Sequence, residues 1–300
     1  MAFRILSLAL LATAFLLVGC GERSEPLGEI AQTYPVTVRG GGERPITLAE
    51  QPRRVVALDP GSAELIVALG AGDRLVGVPA TVQALDGAAP VVDRGGQVDV
   101  DEVVQLRPDL IASTVGVDQL DAALAGRESG AAVYVQPDAS LDDVLRGTIE
   151  LGFLVGEPVS ARRVAARIRA DAARVEARLG GEPTVSVFVD TGFFITVPGR
   201  SLLGDLIERA HGKSVAGPSP GPDPFPVERL RRLDPDVYLA TSESRVTLAQ
   251  LRSERRTADL TAVRRGRFAV LPSDLVLRPG PRVGRALERV ARVLHPNAVR

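Results

Sequence analysis

The sequence predicts an α/β protein of two lobes with mainly parallel sheets, joined by one long rigid helix, with a ligand cleft between the lobes. Two observations predict this architecture. The stretch from Pro158 to Leu179 has the pattern of one uninterrupted helix, and the segments on either side of it repeat the same alternation of strands and helices. Such alternation is typical of parallel sheets that helices cover on both faces. The chain of 300 residues is long enough for two modest cores.

The predicted joining helix has clear ends. Pro158 suits a first helical position, and Gly180-Gly181 followed by Pro183 supplies the stop. Apolar residues recur between them at steps of three and four, forming one narrow stripe: Val164, Ile168, Ala172, Val175 and Leu179. Taken alone, this pattern fits an ordinary amphipathic surface helix better. The similarity of the two flanking segments is what favours a connector.

Composition limits the classes of function. With 45% hydrophobic and 24% charged residues and a net charge of -1, the chain has no global attraction to nucleic acid or to an anionic membrane. Lys213 is the only lysine, so almost all positive charge is arginine. Any single arginine is therefore a weaker indication of ligand binding than it would be elsewhere.

The N-terminal region has the features of an export signal. Its apolar run from Ile5 to Val18 is too short for a membrane-spanning helix, which needs about 20 residues. Leu17-Val18-Gly19-Cys20 resembles the lipobox of bacterial lipoproteins, which implies a lipid on Cys20 and an extracytoplasmic protein anchored to the cell membrane. The alternative is a secretion signal that happens to contain a cysteine. Because Cys20 is the only cysteine, intramolecular disulfides and cysteine-based metal sites are excluded.

The sequence predicts five segments along the chain. The predicted division is a signal peptide at 1–19, a lipidated cysteine and tether at 20–33, a first lobe at 34–156, the connecting helix at 157–181 and a second lobe at 182–300.

The first lobe is predicted to begin with a hairpin between Tyr34 and Leu48. The pattern then predicts strands at Arg54–Leu58, Leu75–Val78, Val91–Val92 and Ala131–Val135, and a helix that runs into a strand over Val98–Ala112. It predicts further helices at Ala63–Leu69, Leu120–Ala125 and Leu141–Val155. Ser62 is the predicted N-cap of the first helix.

The second half repeats this order. Val185–Val189 predicts the opening strand, and Ser201–Ala210 predicts the next helix. The clearest repeat aligns the stretch from Glu228 to Val237 with the stretch from Asp101 to Leu110, since in both an acid lies seven positions before a Pro-Asp turn that leads into a strand. Gly266–Leu271 likewise matches Gly130–Val135.

Several short motifs keep a fixed order and spacing. They are Arg54-Val55-Val56-Ala57-Leu58, Glu64-Leu65, Leu69-Gly70-Ala71-Gly72-Asp73-Arg74-Leu75-Val76-Gly77, Leu106-Arg107-Pro108-Asp109-Leu110, Asp234-Pro235-Asp236-Val237 and Ala262-Val263-Arg264-Arg265-Gly266-Arg267. Together they resemble the substrate-binding proteins of ABC importers for iron-siderophores, haem or cobalamin. The resemblance implies a receptor that captures a metal chelate, with a ferric siderophore as first candidate and cobalamin or haem as alternatives. A ligand-sensing lipoprotein without a transport role is the other alternative.

The resemblance also implies a partner. In that family an acidic residue on each lobe docks onto basic residues of the ABC transporter permease, and motif position assigns these contacts to Asp101 and Glu228. The family pattern usually has glutamate at both positions, so Asp101, or its neighbour Glu102, is a shortened version. The alternative is that both acids merely favour the first turn of a helix, for about 0.3–1 kcal/mol each.

Ligand contacts are expected in the loops at the carboxyl ends of the predicted strands, where parallel α/β sheets bind their ligands. The candidates for holding carboxylates or the anionic edge of a chelate are Arg94, Arg245, Arg278 and Arg282. The candidates for lining an apolar face are Phe193, Phe194 and Phe225. A solvated surface position is the alternative for each arginine.

Two aspartates occupy matching places after the first strand of each half. Asp59, in the loop that ends at Ser62, and Asp190 either face each other across the cleft and accept hydrogen bonds from a ligand, or cap the following helices. Capping is the favoured interpretation. Ser62 is a candidate contact in the same loop.

Catalysis is disfavoured. His211 and His295 are the only histidines, and neither lies in a catalytic or metal-ligand spacing. The related zinc and manganese carriers need several histidines, and haem needs an axial Tyr, His or Met, for which candidates are few. We therefore expect no catalytic residue, no resident metal or cofactor, no nucleic-acid partner, and a monomer that contacts the membrane only through its lipid.

Overall fold

The computed structural model describes residues 32–42, 45–82, 88–92, 96–114, 130–218 and 223–299. The predicted signal peptide, Cys20, Arg94 and the helix predicted at Leu120–Ala125 lie outside these residues. Within them, no helix is both long enough and apolar enough to cross a membrane.

Strands and helices alternate after an initial hairpin. The strands are β1 Val36–Val38, β2 Ile46–Leu48, β3 Val55–Ala57, β4 Leu75–Pro79, β5 Ala89–Val92, β6 Leu110–Ser113, β7 Ala132–Val135, β8 Val185–Asp190, β9 Gly212–Ser214, β10 Val237–Thr241 and β11 Phe268–Leu271. The helices are α1 Pro60–Leu69, α2 Val100–Gln105, α3 Leu141–Leu154, α4 Pro158–Arg178, α5 Leu202–Arg209, α6 Val227–Leu233, α7 Leu248–Ser253, α8 Thr261–Arg264, α9 Ser273–Val276 and α10 Val283–Leu294.

Two parallel sheets form the lobes. The first has the strand order β5-β4-β3-β6-β7 and the second β11-β10-β8-β9, while β1 and β2 pair as an antiparallel hairpin. The central strands are buried along their whole length, as in β3 and β10. Near-continuous apolar strands of this kind are typical of parallel sheets covered on both faces. The predicted fold class and the predicted hairpin are confirmed.

The repeated Pro-Asp motif has the same structural role in both lobes. In the first, Asp109 Oδ2 accepts hydrogen bonds from the backbone N–H groups of Arg53 (2.6 Å) and Arg54 (3.0 Å), just before β3. In the second, Asp236 Oδ2 accepts hydrogen bonds from the backbone N–H (3.0 Å) and hydroxyl (2.6 Å) of Ser186 in β8. Each aspartate ties the strand that follows it to the first strand of its sheet. The repeat in sequence is therefore also a repeat in structure.

Helix α4 joins the two sheets and is buried along one stripe. Pro158 is its first residue and Leu179 its C-cap, as the sequence predicts. All five predicted stripe residues are buried. The helix packs against α3 of the first lobe and α10 of the second. One apolar cluster runs through this stripe into both lobes, and two smaller clusters cover the other face of each sheet.

The start of α1 differs from the prediction. Asp59, not Ser62, is the N-cap, and its carboxylate accepts a hydrogen bond from the Ser62 backbone N–H. The helix begins at Pro60, whose fixed φ suits a first helical position. Ser62 therefore lies inside the first turn, where it is fully buried. The prediction of Ser62 as N-cap is wrong, and the favoured interpretation of Asp59 as a cap is confirmed.

Replacing Gly152 tests how closely α3 approaches α4. A Cβ at Gly152 would overlap the Cβ of Ala161. We expect Gly152→Ala to lower the free energy of unfolding by about 1–3 kcal/mol through overpacking, although alanine favours a helix by up to about 1 kcal/mol. Gly42→Ala is the matched control in urea denaturation, because a Cβ at Gly42 meets nothing within 4 Å. Equal stability of the two variants would contradict the close approach.

Candidate functional site

The two lobes meet at the carboxyl edge of the first sheet. Gln136, directly after β7, donates a hydrogen bond from Nε2 to the carbonyl oxygen of Pro279 in the second lobe, at 2.7 Å. Glu64 of α1, the helix that follows β3, pairs with Arg278 and Arg282 of the same second-lobe loop. The loops predicted to bind ligand therefore include the loops that join the lobes.

Asp59 is held by donors of its own lobe. Its Oδ1 accepts a hydrogen bond from the backbone N–H of Ser62 at 2.9 Å. Its Oδ2 accepts hydrogen bonds from the Ser62 hydroxyl at 2.7 Å and from the backbone N–H of Thr114 at 3.0 Å. Burial raises the pKa of Asp59, and these hydrogen bonds offset part of that rise. Burial also raises the pKa of Asp138, and the negative charge of Asp59 adds to it.

Asp190 is fully buried at the end of β8 and organises a turn instead of capping a helix. Its carboxylate accepts hydrogen bonds from the Tyr238 hydroxyl at 2.5 Å and from the backbone N–H of Gly192 at 2.7 Å. Burial raises the pKa of Asp190, and these hydrogen bonds oppose the rise. Burial and the Asp190 charge raise the pKa of Tyr238 as well. Capping by Asp190 is not observed, because no helix begins there.

The turn after β8 presents one aromatic ring to solvent. The backbone N–H of Thr191 bonds to the carbonyl of Ile195 at 2.8 Å, which closes the turn. Phe193 and Phe194 both have positive φ, 51° and 63°, a conformation that bulky residues rarely adopt and that is often found at functional sites. Phe193 is 85% exposed, whereas Phe194 is partly buried against the second-lobe core. Phe193 is thus a large apolar side chain available at the carboxyl edge of the second sheet.

Phe225 lies in the core. It is 1% exposed, its ring centroid is 5.4 Å from that of Phe188, and the Arg229 guanidinium lies 4.8 Å from its ring centroid. This packing leaves its ring no surface to offer a ligand. Of the three predicted phenylalanines, only Phe193 is well placed for direct contact.

The predicted arginines divide into two groups. Arg245, in the loop after β10, is exposed and has a φ of 55°. Arg278 and Arg282 instead point at Glu64: Arg282 donates from Nε and Nη2 to its two oxygens at 3.0 and 2.9 Å, and Arg278 Nη1 lies 3.3 Å away. Their positive charges are therefore partly offset inside the protein. Ser62 is engaged too, because its hydroxyl donates to Asp59.

Two buried hydroxyls near this edge lack a hydrogen-bond partner among the described residues. They are Thr196 Oγ1, beyond the turn after β8, and Thr241 Oγ1, at the end of β10. A buried hydroxyl without a partner costs about 1–3 kcal/mol, so each is a group that a ligand or an ordered water can pair.

The predicted docking acids occupy equivalent exposed positions. Asp101 lies in the first turn of α2, and Glu228 lies in the first turn of α6. Their surroundings differ: Asp99 caps α2 through its side chain, whereas α6 has Pro226 at its N-cap and carries Arg231 and Arg232. A cavity of about 360 Å³ beside Glu228 is lined by these two arginines, Asp234, Asp259 and Leu260.

A second cavity, of about 710 Å³, lies along the edge strand β9. It is lined by charged and small residues that include Arg200, Glu208 and Lys213. It contains no predicted ligand residue, and the sequence pattern does not single it out.

Every tyrosine and histidine side chain of the protein has a partner. The hydroxyls of Tyr34, Tyr134 and Tyr238 donate to Leu154 O, Glu150 Oε2 and Asp190 Oδ2. His211 and His295 each place a ring nitrogen at 3.0–3.1 Å from a backbone carbonyl, of Glu182 and Ala210 respectively. Among the described residues no group of three or more His, Cys, Asp or Glu is arranged to hold a metal ion.

The family model for periplasmic binding proteins matches residues 55–275, which is most of the chain. The chain belongs to the periplasmic binding protein family. The family resemblance stated from the motifs is confirmed. The match begins at the first strand of the first sheet and ends in α9, so it covers both sheets and the joining helix of this binding protein.

Individual relatives agree with this assignment. An uncharacterized ABC transporter substrate-binding lipoprotein of Bacillus subtilis (strain 168), YvrC, is 24% identical over 310 residues, covering 96% of each chain. A cobalamin-binding protein of Halobacterium salinarum is 27% identical over 285 residues, covering 90% of this chain and 76% of that protein. The structure of the periplasmic vitamin B12-binding protein BtuF of Vibrio cholerae has a TM-score of 0.68 at 22% identity, covering 81% of this chain and 96% of that one. The last likeness shows a shared fold.

Sequence reasoning missed two residues that shape the site of this binding protein. The sequence predicts Glu64 only as a motif residue and a first-turn acid, whereas it lies beyond the first turn of α1, and the sequence predicts no role for Gln136. Each acts through a partner far along the chain, since Glu64 is 218 positions from Arg282 and Gln136 is 143 from Pro279. No local pattern marks such pairs, although the polar side chain of Gln136 directly after a buried strand was an available signal.

The raised pKa of Asp59 predicts that its contribution to the free energy of unfolding increases as pH falls, the opposite of the usual effect of an aspartate. Its folded pKa lies above its ordinary value of 3.8, so the folded state binds a proton more readily than the unfolded state. The contribution of Asp59 to the free energy of unfolding therefore grows as pH falls through the folded pKa and is complete below 3.8. Asparagine can still cap the helix, but it does not titrate. We therefore expect Asp59→Asn to lack this increase in stability between neutral and acidic pH, as measured by urea denaturation.

Asp236→Asn is the matched comparison for this experiment. Hydrogen bonds from Ser186 lower the pKa of Asp236 below 3.8, so its contribution is present above that value and is lost as pH falls through the folded pKa. The two variants should differ from the parent protein with opposite slopes against pH. Slopes of the same sign would show that the pKa of Asp59 is not raised.

Proposed function

We propose that this binding protein is the extracytoplasmic receptor of an ABC-type importer, capturing a metal chelate between its lobes and delivering it to the permease without catalysing a reaction. The observation that carries this proposal is the family match over residues 55–275. The name of the Bacillus relative, an ABC transporter substrate-binding lipoprotein, supports the importer role. The proposal includes the division into signal peptide (1–19), tether (20–33), lobes (34–156 and 182–300) and connecting helix (157–181), with a lipid on Cys20 and a monomeric state.

The charges at the lobe junction favour a ligand without net negative charge. Arg278 and Arg282, two of the four candidate arginines, already pair with Glu64, and Asp59, Asp138 and Asp190 add carboxyl groups on the same edges of the sheets. An anionic ligand needs unpaired cationic groups to offset its desolvation. A corrinoid such as cobalamin, whose ring is edged by neutral amides, fits this environment better. Amide N–H groups are donors, and the exposed carboxyl group of Asp138 is an acceptor for them.

The exposed ring of Phe193 also favours a corrinoid. A flat macrocycle buries a large apolar face, and aromatic rings are common apolar anchors in ligand sites. Two relatives named for cobalamin or vitamin B12 binding support the same choice. We therefore place a corrinoid first among ligands of this binding protein.

A ferric siderophore is the second candidate. Arg245 is exposed in the loop after β10, and it supplies one cationic group that is suited to an anionic chelate. Arg94 would be a further one. Haem is disfavoured because Tyr134, Tyr238 and His295 are buried. Tyr34 and His211 bond to the carbonyls of Leu154 and Glu182, which lie outside the junction loops.

A ligand screen distinguishes these candidates. The full-length protein in detergent is heated with a dye in the presence of cobalamin, haem, or ferric siderophores of catecholate, hydroxamate and carboxylate type. A ligand at 100 times its Kd adds about 2.7 kcal/mol of stability, and we expect a shift of several degrees in Tm with cobalamin. A shift with an anionic siderophore alone would transfer the assignment to that class. No shift with any chelate would overturn the chelate proposal.

Phe193→Ala then tests the aromatic contact. We expect an affinity for cobalamin about tenfold weaker, equivalent to about 1.4 kcal/mol, and an unchanged Tm without ligand, because the side chain is 85% exposed. Val159→Ala, in which a 40% exposed apolar residue of α4 is truncated, is the matched control. Equal affinities of the two variants would exclude Phe193 from the ligand site.

Charge reversal separates transport from sensing. We expect Asp101→Arg combined with Glu228→Arg to abolish uptake in cells that contain the cognate permease, while leaving ligand affinity unchanged, because a cationic permease surface is then met by like charge. Asp73→Arg with Glu288→Arg, one exposed or half-exposed acid from each lobe, is the matched control. Normal uptake in the first variant would favour the ligand-sensing alternative.

A further inference from the structure

The junction between the lobes has a polar part that lies apart from the joining helix. We name it the seam: Gly61, Glu64 and Gln136 of the first lobe, and the loop Arg278–Arg282 of the second. The proposed function treats Arg278 and Arg282 as candidate ligand contacts, but neither it nor the family match assigns a role to the contacts between the lobes. Its contacts are a charge cluster, one buried hydrogen bond and a close approach of backbones.

The charge cluster is centred on Glu64. Arg282 binds its carboxylate with two parallel hydrogen bonds, of 3.0 Å from Nε and 2.9 Å from Nη2, and Arg278 approaches at 3.3 Å. Arg282 is held from the other side by Asp274, whose carbonyl oxygen accepts a hydrogen bond at 3.1 Å. The side chains of Glu64, Arg278 and Arg282 are 26%, 29% and 35% exposed. The cluster is therefore accessible enough for salt to weaken it.

The rest of the seam is buried and closely fitted. Gln136 is 1% exposed, and its Nε2 donates to the carbonyl oxygen of Pro279. Gly61 faces the same carbonyl, because a Cβ there would lie 3.0 Å from the Pro279 oxygen and 3.3 Å from its carbon. Gly280 lies opposite, where a Cβ would be 3.6 Å from the Gly61 Cα. The two backbones approach closely at Gly61 because it has no side chain, whereas a Cβ at Gly280 would be in ordinary contact.

A different polar contact between the lobes lies against the joining helix. Arg209 of the second lobe bonds to Asp142 of the first lobe at 2.6 Å and also to Glu176 of α4 at 3.1 Å. The same cluster includes Asp205, whose Oδ2 accepts hydrogen bonds at 2.9 Å from the Leu141 backbone N–H of the first lobe and from Arg209 Nε. Because Glu176 places this cluster directly beside α4, a turn of the lobes about that helix displaces it less than it displaces the seam. The seam includes no residue of α4, so a turn about the helix must open it.

We propose that the seam is a lock that holds the lobes of the ligand-free protein at one orientation, and that the Glu64 charge cluster is the part of it that can be released. The joining helix alone restricts the hinge but leaves the lobes free to rock about it. A second attachment away from the helix removes that freedom. The cleft is then formed before the ligand arrives, and binding costs less ordering.

Distance measurement between the lobes tests the lock without any ligand. Spin labels are placed on Gln105→Cys of α2 and Arg232→Cys of α6, two exposed positions that correspond in the repeat. The full-length chain in detergent carries Cys20→Ala, so the two labels are the only cysteines. Pulsed electron paramagnetic resonance gives the distance distribution at about 0.1 M and about 1 M salt, between which the Debye length falls from about 10 Å to about 3 Å.

The lock predicts a specific pattern. The parent protein gives one narrow distribution at low salt that broadens at high salt. Glu64→Gln gives a broad distribution at both salt concentrations, because the charge that salt would screen is gone. Glu288→Gln, which removes a charge pair of 2.6 Å with Arg292 within α10, behaves as the parent and is the matched control.

Gly61→Ala opens the seam by a second route. Its methyl group would lie 3.0 Å from the Pro279 oxygen, so that carbonyl must move by a few tenths of an ångström without any charge being removed. Because this shift strains the Gln136–Pro279 hydrogen bond, we expect a broader distance distribution at both salt concentrations. Narrow, unchanged distributions for both Glu64→Gln and Gly61→Ala would overturn the lock. Because no ligand or permease is present, this result is independent of the test of the proposed function.

Discussion

Burial of the apolar stripe on α4 is the constraint on which the rest of the structure depends. The stripe belongs to one cluster that includes the inner layers of both sheets, so the lobes are not two cores joined by a linker. Separating them would expose Val164, Ile168 and Val175, at a cost of about 25 cal/mol for each Å² of apolar surface. The helix is therefore a packed element of both lobes. Its packing determines where the two lobes join, although the chain connects them only once.

Apolar packing determines where the lobes join, but because it is non-directional it does not determine their relative orientation. The polar contacts determine that orientation. Asp109 and Asp236 align the strands within each sheet, and Glu64 aligns one lobe with the other. The same residue also changes the ligand site, because the carboxylate that orients Arg278 and Arg282 offsets their charge. Glu64 thus contributes both to the orientation of the lobes and to the charge at their junction.

Local patterns were enough to predict most of the fold. The stripe of α4 and the buried strands follow from periodicity, and the Pro-Asp repeat revealed two related sheets. The strand β9, Gly212–Ser214, has no apolar alternation and is defined only by its pairing with β8. The N-cap of α1 was misassigned because Asp59 and Ser62 are both good caps. Pro60 decided between them, since it favours the first helical position directly after Asp59.

The candidate site was less predictable because residue type does not reveal whether a side chain is free. Phe193 and Phe225 carry the same ring in loops of the same lobe, yet one is 85% and the other 1% exposed. Arg245 and Arg282 likewise differ only in whether an acid lies within reach. The first distinction depends on packing against residues such as Phe188, 37 positions away, and the second on Glu64, 218 positions from Arg282. Composition and spacing do not encode these contacts. An arginine in a cleft is informative about a ligand only when its intramolecular partner is known, and Glu64 is that partner here.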